Sequence, residues 1–138
     1  MRYLKQTHIK KEWQKFVQLS PKSQLLELGA TIVSQWSQPE KHVLYSKICA
    51  TLDDMAEQSK TKLREKSPNH PIFNVVPEQF DVWKCNNIDD NQWSPTNTKL
   101  IITALCDVIY NDLGFHGNNE MYYSSENSFI DAVSFFVL

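Results

Sequence analysis

Three cysteines and four histidines are the residues of this chain whose chemistry could support nucleophilic catalysis. Such catalysis needs a thiolate beside a histidine that a third polar group holds in place. Cys106 lies in an apolar helical pattern directly before Asp107, and we predict it to be a buried core thiol. Cys49 follows apolar Ile48, and nothing beside Cys85 would activate its thiol. We therefore predict no catalytic residue and expect that the chain is not an enzyme.

Metal and phosphate sites need residues at particular spacings, which this sequence does not provide. Zinc ligands come in pairs a few residues apart, whereas the histidines occur singly and no Cys-x-x-Cys pair is present. The stretch Gly114-Phe115-His116-Gly117 follows a helical pattern and lacks the Gly-Lys-Ser/Thr of a phosphate loop. We expect no metal site and no bound cofactor.

Charge is unevenly distributed along the chain. Residues 1–66 hold twelve Lys and Arg against seven Asp and Glu, and residues 67–138 hold two against nine. This uneven charge could attract one part of the chain to the other, or attract an oppositely charged partner. We favour a third interpretation, in which the charges lie on solvated helix faces. Nucleic-acid binding would depend on lysines of the N-terminal helix, and these lack interleaved base-stacking aromatics. We do not expect a nucleic-acid partner.

Composition places the chain among globular proteins. It has 138 residues, of which 41% are hydrophobic and 12% aromatic, enough for a core. It has no apolar run of the roughly 18 residues that cross a bilayer, and its N-terminus lacks the apolar segment of a signal peptide. Three widely spaced cysteines are typical of reduced thiols. We expect a cytoplasmic or nuclear protein that is not in a membrane.

Apolar spacing predicts four or five helices and almost no sheet, an all-α fold. Residues 1–20 form a basic N-terminal helix, and residues 21–73 hold a helical pair. The pair's first helix begins at Ser20-Pro21 and buries the face of Ile32 and Trp36, with Gly29 where another helix packs closely. Its second helix runs from about Lys41 to Lys66.

Residues 67–95 hold four of the six prolines, and within this stretch residues 74–95 are predicted to be an irregular, partly mobile insertion. Trp83 and Trp93 lie in this insertion. An exposed tryptophan often anchors a partner protein, so both are candidate partner contacts. We favour the alternative, in which both fold back onto the helices.

Ser94-Pro95 begins a further helix, which Gly114 ends in the left-handed conformation, where a side chain would clash. Gly114 and Gly117 are expected to shape a polar loop, and core residues such as Leu105 and Val108 to hold it. Ser128-x-x-Asp131 is typical of a capping box that opens a last helix. The residues that define this motif are Leu113, Gly114, Phe115, Gly117, Asn118, Tyr122, Tyr123 and Asn127.

The stretch from Leu105 through Leu113-Gly114-Phe115-His116-Gly117-Asn118 to Tyr122-Tyr123 and Asn127 resembles the start of a transglutaminase-like domain. This domain type occurs in the F-box only protein 21-like family and in bacterial SirB-type proteins. Weaker similarity extends upstream, so that the resemblance covers roughly residues 23–133. On this basis residues 96–138 are the start of a truncated transglutaminase-like domain.

The chain also departs from that family. From the sequence we expect no F-box before Ser20 and no C-terminal domain related to hemimethylated-DNA-binding proteins. The chain ends on the apolar tail Phe135-Phe136-Val137-Leu138, before the part that would hold a catalytic-type histidine. We therefore expect a fragment or truncated product whose matching residues are scaffold.

The resemblance implies a non-catalytic helical piece of a substrate-recognition subunit of a Skp1–cullin–F-box (SCF) ubiquitin ligase, acting by protein–protein interaction. Its partners would be ubiquitin-ligase subunits or substrates. Two alternatives remain open: a remnant of a transglutaminase- or protease-like hydrolase with a Cys-His pair, and a stand-alone helical binding module that uses the basic helix.

Overall fold

The structure is a computed structural model that describes residues 2–88 and 92–135, without the side chains of Arg2, Ser134 and Phe135. The all-α prediction is confirmed: these residues form helices and turns and contain no strand. Residues 89–91 of the predicted insertion and residues 136–138 of the apolar tail lie outside the described residues. In the described part of the chain the six α-helices are α1 (Arg2–Gln18), α2 (Leu26–Ser37), α3 (Tyr45–Lys66), α4 (Pro77–Lys84), α5 (Pro95–Cys106) and α6 (Ile130–Phe135).

Helix α3 is the centre of the bundle. It packs against α2, α5, α6 and the π-helical turn Asp107–Asp112 that continues α5. Ile48 and Leu63 of α3 are buried, as are Ala104 of α5 and Val108 of the π-turn. These side chains recur at the three- and four-residue spacing of one helix face, which is why the predicted pattern identified these helices.

Helix α1 packs on α2 at Gly29, as predicted for this glycine. A Cβ atom there would lie 3.0 Å from Cζ of Phe16, closer than side chains normally approach. The exposed fraction of Trp36 is 47%, so the prediction that it lies on the buried face of α2 is wrong. Thr31, Ile32 and Ser34 form that buried face instead.

Two helix starts differ from the sequence prediction. Ser20-Pro21 opens only the 3-10 turn Pro21–Ser23, because Ser20 Oγ faces Ser23 Oγ at 3.2 Å and caps no backbone N–H. Lys5 Nζ donates to the carbonyls of Pro39 and Lys41, at 2.6 and 2.8 Å. These bonds hold the loop before α3, which begins at Tyr45 rather than near Lys41.

The predicted insertion is more regular than its composition indicated. Pro71–Asn74 forms a 3-10 turn, and Pro77 opens the eight-residue helix α4 because proline fits the first helical position. Beyond α4, the amide of Asn87 donates to the carbonyls of Pro21 and Gln24, at 2.7 and 2.9 Å. Residues 71–87, which we name the strap, run along α3, with Phe73 at Arg64, Phe80 at Lys60 and Lys84 at Asp53. The strap is fixed at its far end by Asn87.

Candidate functional site

The end of the π-turn sets the direction of the loop that follows. The N–H groups of Leu113 and Phe115 donate to the carbonyls of Val108 and Ile109, at 2.8 and 3.0 Å. Gly114 between them has φ +69°, the left-handed conformation predicted for it. Leu113 and Phe115 are half-buried and hold this end against the bundle. Gly117 is exposed, and a Cβ there would meet Asn119 Oδ1 at an ordinary 3.8 Å.

Two asparagines lock residues 118–128, which we name the tyrosine loop. Asn118 Oδ1 accepts from the N–H of Met121 at 3.0 Å, and Asn118 Nδ2 donates to Asn127 Oδ1 at 3.1 Å. Asn127 Nδ2 donates to the carbonyls of Met121 and Tyr122, at 2.9 and 3.1 Å. The loop backbone is thus fixed by side-chain amides rather than by burial.

This fixed backbone presents large side chains to solvent. The exposed fractions of Met121, Tyr122 and Tyr123 are 64%, 72% and 96%. The two tyrosine rings meet edge to face, with 5.2 Å between centroids. Glu126 at the loop's end pairs with Lys41 across 3.6 Å, which ties the loop to the segment before α3. Aromatic and methionine side chains on a preorganised backbone are typical of protein-binding surfaces.

Two residues predicted to lie in the core are at the surface. Cys106 is exposed, and the exposed fraction of Leu105 is 38%. Ala104 and Val108 form the buried face of this stretch. Because successive helical residues rotate by about 100°, Leu105 and Cys106 turn away from that face. The apolar stretch that contains Leu105 and Cys106 covers more than one face of the helix. The prediction that both residues are buried is therefore wrong.

Trp83 and Trp93 are half-buried and contact each other, with ring centroids 6.1 Å apart. Trp83 also packs on Phe80, and Trp93 on His70.

His70 is buried: its Nδ1 accepts from the N–H of Ile72 at 3.1 Å, so Nε2 carries the proton and faces the carbonyl of Asn97 at 3.2 Å. Backbone groups therefore occupy both nitrogens of His70.

Charged contacts attach the π-turn to α3. Lys66 and Lys62 pair with Asp107 and Asp112. The hydrogen bond from Lys66 holds the pKa of Asp107 below its usual range. In residues 2–88 and 92–135 no group of His, Cys, Asp or Glu side chains could hold a metal ion. No helix described there is long and apolar enough to cross a membrane.

Comparison with known proteins relates this structure to one family. The family model of the transglutaminase-like superfamily matches residues 46–134. This range runs from the first turn of α3 through the strap, the π-turn and the tyrosine loop into α6. Neither a search of curated proteins nor a search of solved structures found a match. The match covers more than half of the 138 residues, and the chain therefore belongs to the transglutaminase-like superfamily.

Proposed function

We propose that this chain acts by protein–protein interaction, as a non-catalytic helical part of an F-box only protein 21-like substrate-recognition subunit of an SCF ubiquitin ligase. The observation that carries the proposal is the tyrosine loop. Its backbone is fixed by Asn118 and Asn127 while Tyr122 and Tyr123 remain exposed. Ordering such a loop costs little on binding, so its aromatic area contributes directly to affinity.

The loop is also where the residue-by-residue resemblance to the F-box only protein 21-like family lies, within the superfamily match. In such a ligase the adaptor holds a substrate lysine near a ubiquitin-loaded enzyme, so its catalytic contribution is proximity. Cytoplasm or nucleus is the compartment that this role requires.

Two measurements test the proposal. The endogenous protein, tagged at its own locus, is expected to co-purify with Skp1 and a cullin; purification without either would contradict the ligase role.

Cells depleted of the protein are then complemented with variants, and ubiquitylated proteins are quantified. Wild type should restore the lost ubiquitylation, and a Tyr122→Ser, Tyr123→Ser double variant should not. Tyr110→Ser, at a position 61% exposed on the π-turn, is the matched control and should behave as wild type.

The exposed thiol of Cys106 favours a second candidate, a cysteine hydrolase-like activity. A catalytic thiol would react with iodoacetamide well below the ordinary thiol pKa of about 8.5. An unactivated thiol instead slows about tenfold for each pH unit below its pKa. Cys85, also exposed, is the internal reference. Parallel pH profiles for the two thiols would exclude the hydrolase candidate, and a flat profile for Cys106 alone would support it.

A further inference from the structure

A groove of about 880 Å³ runs between α3, the strap and α5. Its lining is mainly apolar and aromatic, with Leu63, Phe73, Phe80, Trp83, Ile101 and Leu105 among the residues that form it. The α3 wall between Asp53 and Arg64 is about 16 Å long at the helical rise of 1.5 Å per residue. A groove of this length matches about three turns of a helix laid along it.

The groove exists because α4 is attached at its edges and does not pack closely on α3. Lys84 at its end pairs with Asp53 across 2.5 Å. Lys60 lies over the ring of Phe80, 5.0 Å from the centroid. Trp83 contacts Trp93 at the far side. Polar and cation–π contacts therefore attach α4 to α3 at the edges of the groove, and the apolar side chains between them line an open surface.

Charge differs between the two ends of the groove. At one end Lys84 pairs with Asp53, and the carboxylate of Asp81 also lines the groove, so that two carboxylates face one cation there. At the other end Arg64 is exposed, with its guanidinium stacked 4.5 Å from the centroid of the Phe73 ring. Stacking fixes the plane of a guanidinium and leaves its N–H donors available to a carboxylate. The Arg64 end is therefore the positive end.

We propose that this groove binds an amphipathic helical segment of a partner protein, with its apolar face on Phe73, Phe80, Trp83 and Leu105 and a carboxylate on Arg64. A helix laid in an apolar groove presents anchors at positions i, i+4 and i+7, which about three turns provide. The single acidic contact fixes direction and register, because the opposite end of the groove is negative. The proposal does not depend on the ubiquitin-ligase role, and a chain that never meets Skp1 would still bind the segment.

The probe is a phage-displayed library of helical peptides with three fixed apolar anchors and one flanking position randomised among glutamate, glutamine and lysine. Selection on the full chain should enrich glutamate at that position. The glutamate peptide should shift the indole N–H resonance of Trp83, assigned with Trp83→Phe. Enrichment of lysine or glutamine, or a shift confined to residues outside the groove, would overturn the proposal.

Charge exchange gives the sharper test. Arg64→Glu should weaken the glutamate peptide by about tenfold or more, equivalent to one ion pair of about 1.4 kcal/mol, and should favour the lysine peptide instead. Lys99→Glu, at an exposed position on α5 outside the groove lining, should change neither affinity. Leu105→Lys should abolish binding, and Ile102→Lys, at an exposed α5 position also outside the lining, should not. Equal effects of the paired variants would overturn the proposal.

Discussion

Gly114 is the residue at which the chain leaves the helical bundle for the tyrosine loop. Its φ of +69° confirms the left-handed conformation, and beyond Gly114 and its two chain neighbours no atom lies within 4 Å of the position of a Cβ. The predicted clash is therefore a local one, between a Cβ and the adjacent backbone, and the cost of a side chain is backbone strain. We expect Gly114→Ala to lower the free energy of unfolding by about 1 kcal/mol, Gly114→Val by more and Gly114→Asn by less. Urea unfolding measures the series.

Gly117→Ala is the control for that series. Its φ lies outside the left-handed region, and its Cβ has room beside Asn119. We expect an unchanged urea midpoint. Equal destabilisation by Gly114→Ala and Gly117→Ala would mean that the loop, rather than the left-handed turn, limits stability.

Asn127 is the second residue with an effect that can be isolated. Asn127→Asp keeps the size of the side chain but removes the N–H donors that reach the carbonyls of Met121 and Tyr122. Each lost hydrogen bond costs about 1 kcal/mol. Because the side chains of the tyrosine loop are exposed, losing these bonds should destabilise the loop rather than the packed bundle. We expect faster amide hydrogen exchange at Met121 and Ser124, whose N–H groups donate to Asn118 Oδ1 and to the carbonyl of Met121. Asn119→Asp, at an exposed position of the same loop, should leave exchange there unchanged.

At the scale of elements, the π-turn depends on its attachment to α3. A π-helical turn is rare and is retained where its surroundings stabilise it. Here Val108 is buried against the bundle, and Asp107 and Asp112 pair with Lys66 and Lys62. The two pairs lie four residues apart on α3, one turn of one helix face. They fix the orientation from which the Gly114 turn begins.

The attachment of the π-turn should depend on pH. The hydrogen bond from Lys66 lowers the pKa of Asp107 from its ordinary value of 3.8. A lowered pKa gives stability that is fully present above 3.8 and is lost as pH falls through the lower folded-state value. We expect Asp107→Asn to flatten the acid side of the stability–pH curve, measured as urea midpoints at low salt. High salt should reduce the difference, because the pair is exposed. Glu120→Gln, which removes an exposed charge from the tyrosine loop, should leave the slope unchanged.

The elements also show what could be predicted from the sequence and what could not. Periodic apolar residues identified α3 and α5 because their spacing follows directly from the buried face of a helix. The Ser94-Pro95 start is confirmed, since Ser94 Oγ accepts from the N–H of Asn97 at 3.3 Å. The same signal at Ser20-Pro21 gave only a 3-10 turn. Local signals of this kind state a preference only, since at Ser20 the contact with Ser23 Oγ replaces the cap.

At the scale of the whole molecule, the uneven charge joins the two halves of the chain. Lys41, Lys62 and Lys66 of the basic half pair with Glu126, Asp112 and Asp107 of the acidic half. Exposed pairs of this kind contribute little to stability, so together they guide orientation more than they supply stability. Which lysine meets which carboxylate depends on how α3 packs, and composition does not contain that information. The residues of the tyrosine loop could likewise be recognised as a motif in the sequence. The hydrogen bonds by which Asn127 fixes the loop backbone could not.

The link that spans the molecule most directly is the hydrogen bond of 2.9 Å from Gln38 Nε2 to Asp131 Oδ1. It joins the end of α2, which precedes the family match, to α6 within it. Asp131 was predicted to complete a capping box with Ser128, but α6 begins at Ile130 and the Asp131 side chain is buried against Gln38, so that prediction is wrong.

Asp131 as the acceptor for Gln38 and Asp131 as part of a capping box with Ser128 predict opposite results for substitutions at these two positions. Asp131→Ala leaves the buried amide of Gln38 without its acceptor and should cost about 1–3 kcal/mol, with faster hydrogen exchange in α2 as well as α6. Ser128→Ala should cost almost nothing here, whereas loss of a true cap would cost about 1 kcal/mol. Urea unfolding with residue-resolved exchange measures both variants. Protection lost in α6 alone, or a larger cost at Ser128 than at Asp131, would restore the capping box. Protection lost in both helices would establish that residues before the family match and the last helix within it form one cooperative unit.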